Sequence, residues 1–175
     1  MKILSFITLT FFFLLTSCGS NQPLETVQID VEQYKGTWYE IARLPNRFEK
    51  GLDCVTANYT LKENGKIKVI NRGYNIEKEK QSESIGEAKP AGEKFKSGKL
   101  KVSFFKPFYG DYYVIDLGEN YEYALVGNPS RKYLWILARE QSLPLETIEL
   151  LKETASEKGF AVEELYYTKQ DCDNN

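Results

Sequence analysis

The sequence predicts an all-β fold, an eight-stranded antiparallel up-and-down barrel (calyx) with one C-terminal α-helix packed outside. Short strand-like runs bounded by turn residues recur from Trp38 onward. Aromatic residues make up 14% of the chain, and most are Tyr or Phe, which favour strands. Because the connections are short, neighbouring strands are antiparallel. Closing eight of them into a barrel removes the exposed edges and leaves an interior for one small ligand. A β-sandwich is the alternative arrangement.

Eight runs are predicted as strands, separated by turns rich in Gly, Asn and Pro. They are residues 38–44, 55–61, 67–74, 82–88, 99–105, 112–117, 121–126 and 133–139. The helix is predicted at residues 145–158, where Ile148, Leu151 and Ala155 recur at helical spacing and Gly159 ends the pattern. A run at residues 162–168 has the length of a ninth strand.

The chain divides into a signal peptide (1–17), a tether (18–30), one globular domain (31–170) and a tail (171–175). Residues 3–15 are apolar apart from Ser and Thr and follow a lysine, as in an export signal. Leu15-Thr16-Ser17-Cys18 resembles the lipobox of bacterial lipoproteins, in which the cysteine becomes lipidated. Since a glycine follows Cys18, we expect a protein lipid-anchored in the cell outer membrane and facing the periplasm. A signal peptide with an incidental cysteine is the alternative.

Composition excludes several classes of function. The chain has no histidine, which excludes a Ser-His-Asp triad, an HExxH zinc site and His-ligated haem. Its net charge is −2 and it has no basic stripe, which argues against a nucleic-acid partner. Two cysteines cannot complete a zinc site alone, so we expect no metal and no cofactor. Because disulfides persist in exported proteins, Cys54 and Cys172 are expected to pair.

Two motifs carry a family resemblance. Gly36-Thr37-Trp38 resembles the G-x-W signature of the lipocalins, and residues 133–139 resemble their late strand ending in arginine. Residues 47–52, 71–75, 101–105 and 107–110 stand at matching positions, so residues 30–168 resemble the bacterial lipocalins, close to the apolipoprotein D branch. The family's middle signature, often Thr-Asp-Tyr, is replaced by residues 121–126. The resemblance implies a non-enzymatic calyx that binds fatty acids or lysophospholipids and is often an outer-membrane lipoprotein.

The two motifs also have a physical role. Gly36 lets the chain turn closely into the first strand. Trp38 is large enough to close one end of the barrel, and the Arg139 guanidinium on its face would add a cation–π contact. We therefore expect Gly36, Trp38 and Arg139 to be structural.

The alternation of side chains along a strand predicts the ligand wall. If Arg139 reaches the base, Leu137 and Trp135 point inward, which makes Trp135 the best ligand-binding candidate. Phe104, Tyr112 and Tyr123 are further candidates, each as consistent with plain core as with a ligand wall. Glu40 and Ala42 are in phase with Trp38, and an inward Glu40 would need a partner such as Arg139.

Alternate loops of an up-and-down barrel share one mouth. Phe48, Phe108 and Tyr109 fall at that mouth, which suggests a lid or a contact with lipid. Its charged residues give a slight positive excess, consistent with an acidic head group or with an ordinary soluble surface. They are Arg47, Lys50, Lys78, Lys80, Lys106, Arg131 and Lys132 against Glu49, Asp53, Glu77 and Glu79.

Two alternative functions stay open. One is an enzyme on the same barrel, acting on acyl lipids through carboxylates such as Glu40. The other is an anchored envelope protein whose calyx is filled by its own side chains.

Overall fold

The computed structural model describes residues 22–92 and 95–172. The predicted signal peptide and Cys18 lie outside the described residues, as does most of the predicted tail. None of the described helices is long and apolar enough to cross a membrane.

The described chain forms one closed antiparallel sheet of eight strands plus a short ninth. The strands are β1 (Gly36–Arg43), β2 (Leu52–Leu61), β3 (Ile67–Asn75), β4 (Lys80–Pro90), β5 (Lys99–Phe105), β6 (Phe108–Leu117), β7 (Tyr123–Gly127), β8 (Leu134–Ala138) and β9 (Tyr166–Tyr167). From β2 to β8 each strand pairs with the next, and β1 pairs with both β8 and β2. The predicted barrel is therefore confirmed. The run at 162–168 supplies only the two residues of β9, preceded by a turn of 3-10 helix.

Helices cover one end and one side of the barrel. The short α1 (Val31–Tyr34) was not predicted, whereas α2 (Leu145–Glu157) follows the predicted range and packs outside. Leu151 and Ala155 of α2 are fully buried. They belong to the outer cluster, the apolar side chains between the barrel wall and the helix: Leu24, Ile41, Ala42, Leu44, Ile115, Leu125, Leu134, Ile136, Ala138, Leu151, Ala155 and Phe160.

A second apolar set lies inside the barrel. This interior cluster consists of Ile29, Tyr34, Trp38, Ala57, Tyr59, Ile67, Val69, Ala88, Val114, Ala124, Val126 and Leu137. It includes Tyr34 of α1, so α1 marks the closed end. The connections β1–β2, β3–β4, β5–β6 and β7–β8 lie at the other end, which we call the open end.

The described part of the predicted tether is packed rather than free. Leu24 and Ile29 are each 4% exposed, Leu24 in the outer cluster and Ile29 in the interior cluster. Backbone hydrogen bonds join Val27 N to Val114 O at 3.0 Å and Ile29 N to Lys96 O at 3.1 Å. Asp30 then caps α1, because its carboxylate accepts from Glu32 N. The tether prediction is corrected for residues 22–30, since burial of these apolar side chains holds the segment on the barrel.

The C-terminal chain fills a gap between β1 and β2. These strands pair only from Gly36 to Tyr39. Farther along, Ala42 and Arg43 pair with β9, and Cys54 N donates to Lys169 O at 2.8 Å. The expected Cys54–Cys172 disulfide is present, with its Cα atoms 6.0 Å apart.

The strand β4 is longer than the partner that follows it. It pairs with β3 along Lys80 to Ala88 but with β5 only from Glu87 to Pro90. Its first part therefore extends beyond β5 at the open end.

Candidate functional site: the calyx

The closed end is built as the sequence predicts. Arg139 Cζ lies 3.8 Å from the centroid of the Trp38 ring, and Trp38 is fully buried. The guanidinium donates to the carbonyls of Thr37 at 2.9 Å and Gln33 at 2.6 Å. Gly36 has φ +97°, and a Cβ there would stand 3.4 Å from Arg139 Nη1. These contacts tie α1, β1 and the end of β8 into one base.

A bulge in β1 changes which side chains face inward. The pairing of β1 with β8 shifts between Glu40 and Ala42. Ala42 therefore faces the outer cluster, and the expectation that it shares the phase of Trp38 is wrong. Arg43 turns inward instead, because the bulge at Ile41 inserts one residue into the alternation.

The inward Glu40 is paired with Arg43, not with Arg139. Its Oε1 accepts hydrogen bonds from Arg43 Nη1 and from the hydroxyl of Thr168. Burial raises the pKa of the Glu40 carboxyl to about 7, and the charge of Glu49 adds to the rise, while Arg43 and Thr168 oppose it. Arg43 Nη2 also donates to the carbonyls of Glu49 and Leu52, both at 2.8 Å.

Trp135 lies half-buried beside the interior cluster, two residues along β8 from the inward Leu137. Its Nε1 donates to Glu49 Oε2 at 3.0 Å. Its ring is stacked on that of Tyr133, with centroids 5.9 Å apart and planes at 6°. This orientation is the one that strand parity predicts; the ligand contact itself stays a prediction.

Tyr112 takes part in a group of three phenol hydroxyls. Its hydroxyl lies 2.8 Å from that of Tyr34 and 2.9 Å from that of Tyr59. Burial raises the pKa of Tyr59 to about 12 and those of the other two well above their usual value, so all three stay neutral. Tyr34 and Tyr59 were not predicted as interior residues, although Tyr59 follows Val55 and Ala57 on one buried face of β2.

The two remaining candidates differ in position. The Phe104 ring lies over the inner face of β4, because a Cβ on Gly86 would meet it at 2.8 Å. It is 44% exposed and close to the open end. Tyr123 packs against the outer cluster, opposite Ala138, so it is not part of the inner wall and its prediction as a ligand-binding candidate is wrong. Both faces of β7 are buried, which removes the alternation that would have shown its inward side.

One inward polar atom accepts no hydrogen bond from any described residue. It is the buried Oδ1 of Asn71. Asn71 lies on β3 opposite Ala57 of the interior cluster and, on the other side, opposite Ser84. A buried acceptor without a donor is costly unless a ligand or water supplies one.

Comparison with known proteins decides the family. A family model described as a lipocalin-like domain matches residues 29–170. The chain belongs to the lipocalin family. The predicted resemblance of residues 30–168 is therefore confirmed.

Relatives of this lipocalin cover nearly its whole length. The outer membrane lipoprotein Blc of Citrobacter freundii is 44% identical over 175 residues, 97% of this chain and 98% of that protein. Apolipoprotein D of Macaca fascicularis is 39% identical over 167 residues, 91% of this chain and 85% of that protein. The structure of insecticyanin from the tobacco hornworm Manduca sexta matches with a TM-score of 0.67 at 20% identity, over 85% of this chain and 84% of that one. The last comparison shows the fold alone.

Proposed function

We propose that this lipocalin binds one acyl lipid, a fatty acid or a lysophospholipid, inside its calyx. The observation that carries the proposal is the apolar lining between Trp38 at the closed end and Trp135 nearer the open end. An acyl chain gains about 0.8 kcal/mol for each methylene that it buries. About ten methylenes would contribute roughly 8 kcal/mol before the costs of association, so a micromolar or weaker dissociation constant is expected.

The polar groups of the calyx favour a lysophospholipid over a free fatty acid. Arg43 is buried, but Glu40 and Thr168 engage one of its terminal nitrogens and two carbonyls occupy the other. A fatty-acid carboxylate would have to compete for this cation. The buried Asn71 oxygen has no donor among the described residues, and the glycerol hydroxyl of a lysophospholipid would supply one.

We infer that the protein holds its lipid without converting it. The alternative of an acyl-lipid enzyme requires a free carboxylate such as Glu40. That side chain is 2% exposed and engaged by Arg43 and Thr168, which leaves it poorly available to a substrate. Turnover of a bound ester in the presence of the purified protein, lost in Glu40→Gln, would support the enzyme instead.

We place the protein in the outer membrane, anchored by acyl chains on Cys18 and facing the periplasm. This location rests on residues 15–18 and on the Citrobacter freundii relative, which is named an outer membrane lipoprotein. Attachment to the membrane then depends on the lipidated cysteine.

Calorimetric titration tests the binding proposal. The protein at ~100 μM is titrated with lysophosphatidylethanolamine, with palmitate and with a short-chain control that cannot fill the calyx. We expect one site for the two long-chain lipids, tighter for the lysophospholipid, with quenching of Trp fluorescence. Asn71→Leu should remove the preference between them. Absence of heat and of quenching with every long-chain lipid would favour the ligand-free scaffold.

A further inference from the structure

The described chain begins at the open end of the barrel. The Gln22 carbonyl accepts a hydrogen bond from Arg131 Nη2 at 2.8 Å. Arg131 lies in the β7–β8 connection and is itself held by the carbonyls of Pro129 and Lys158. From Gln22 the chain runs along the wall to α1 at the closed end. Gln22, the described residue nearest the anchor, is therefore fixed at the rim of the mouth.

The distance from this rim to the anchor is short. Cys18 precedes Gln22 by only four positions. An extended chain spans at most about 3.5 Å per residue, so Cys18 lies within about 14 Å of Gln22. The strand β2 has ten residues and spans about 33 Å at 3.3 Å per residue. The anchor thus cannot reach the level of the closed end.

The same rim exposes large apolar side chains. Phe48 in the β1–β2 connection is 64% exposed. Phe105 and Phe108, on either side of the β5–β6 connection, are 79% and 73% exposed. Exposed phenylalanines gathered at one end of a barrel are unfavourable in water and favourable in a lipid interface.

The exposed charge of the rim is positive. Glu49 turns toward Trp135 and Asn46, and Asp53 is buried against Tyr166 and Lys169. Glu77 and Glu79 remain as exposed carboxylates in the rim set defined from the sequence. The exposed cations of that set are Arg47, Lys50, Lys78, Lys80 and Lys132, together with Lys106, whose charge is partly offset by Glu87 at 3.4 Å. A basic rim around apolar side chains matches an anionic phospholipid surface.

We propose that the open mouth docks on the leaflet that holds the Cys18 anchor. Phe48, Phe105 and Phe108 enter the interface, and the basic rim lies on anionic head groups. Lipid then passes between the leaflet and the calyx without crossing bulk water. This inference rests on the lipidated Cys18 of the proposed function.

Depth-dependent quenching tests the orientation. Full-length lipidated protein is placed in vesicles of phosphatidylethanolamine and phosphatidylglycerol, with a fluorophore on Phe108→Cys or, as the matched control, on Asn64→Cys in the β2–β3 turn at the closed end. Quenchers on the lipid tails should quench the label at 108 several-fold more than the label at 64. Equal quenching at both positions, or stronger quenching at 64, would overturn the docking.

The triple variant Phe48→Ser, Phe105→Ser, Phe108→Ser tests the role of the apolar rim. We expect transfer of a fluorescent lysophospholipid from vesicles to slow about ten-fold, with calorimetric affinity unchanged. The control Leu145→Ser, Leu150→Ser, on exposed residues of α2, should transfer normally. An unchanged transfer rate in the triple variant contradicts the proposal.

The outcomes separate the docking from the anchor. Protein that floats with vesicles and binds lipid, yet shows no quenching at 108, disproves docking alone. Protein that fails to float disproves the anchor and the docking together, while calorimetry still tests lipid binding.

Discussion

Each of the two tryptophans has a different task within the calyx. Trp38 is fully buried between Arg139 and Tyr34, whereas Trp135 is half-buried and reaches toward the open end. Truncating Trp38 to Ala should leave a cavity and cost roughly 3–5 kcal/mol. Arg139→Ala should also lower the unfolding midpoint while the folded protein keeps near-normal affinity. Trp135→Ala should mainly weaken lipid binding.

Chemical denaturation and lipid titration of the three variants would separate these effects. If Trp135→Ala bound every acyl ligand of the parent with unchanged affinity, the inward orientation of Trp135 would have no role in binding.

The buried Glu40 makes stability depend on pH. Its pKa is about 7 in the folded protein against 4.5 ordinarily, so between these values the folded state holds more protons than the unfolded state. The contribution of Glu40 to the unfolding free energy should therefore be largest below about pH 4.5. It should fall as pH rises through 7, by up to about 3 kcal/mol.

Urea denaturation between pH 5 and 8 would measure this slope. Glu40→Gln should flatten it, although above about pH 7 the variant is less stable because Arg43 then lacks the ionised carboxylate of Glu40. Glu87→Gln is the matched control, since hydrogen bonding to Lys66 lowers the pKa of Glu87 to about 2 and its contribution is lost only on acidification below about pH 4.5. An unaltered slope in Glu40→Gln would contradict the assignment.

At the scale of elements, the C-terminal strand and its disulfide complete the barrel wall. Cys54 and Cys172 are 118 positions apart, so the loop-entropy model gives a stabilisation of at most about 4–5 kcal/mol. Reduction should lower the thermal midpoint. The variant Cys54→Ser with Cys172→Ser should start at the lower midpoint and show no response to reductant. A midpoint that reduction leaves unchanged in the parent would mean that β9 is held by its hydrogen bonds alone.

The sequence predicts elements well where one face of a strand or helix is polar. The strand β3 and the helix α2 alternate in this way, and their predicted ranges differ from the structure by a single residue at one end. Where both faces of a strand are buried, as at Tyr123 in β7, the sequence does not show which side chains point inward. The inward side is also not predictable at the β1 bulge, because no Gly or Pro in residues 40–43 marks the shift in strand register. The pairing of Arg43 with Glu40 and the Asn71 oxygen that is unpaired among the described residues are therefore visible only in the structure.

The whole molecule combines a barrel with an N-terminal sequence, residues 15–18, that resembles a lipoprotein lipobox. Cys18→Ala should abolish incorporation of labelled palmitate and prevent the normal cleavage of the signal peptide. Cell fractionation should then find the variant outside the outer-membrane fraction, whereas Cys54→Ser with Cys172→Ser should still be labelled there. Palmitate labelling that survives in Cys18→Ala would show that residues 15–18 are not a lipobox.

Because β4 is longer than β5, its first part has an edge that does not pair with β5, and this edge matters where many copies lie close together. Lys80 to Ile85 present a backbone edge that does not pair with β5, and such an edge can recruit a strand from another molecule into a growing aggregate. The sequence Lys-Gln-Ser-Glu-Ser over residues 80–84 is polar and carries charge on this edge, which opposes such recruitment. Molecules concentrated on one membrane surface would meet each other often. The polarity of residues 80–84 therefore disfavours edge-to-edge pairing between neighbouring copies.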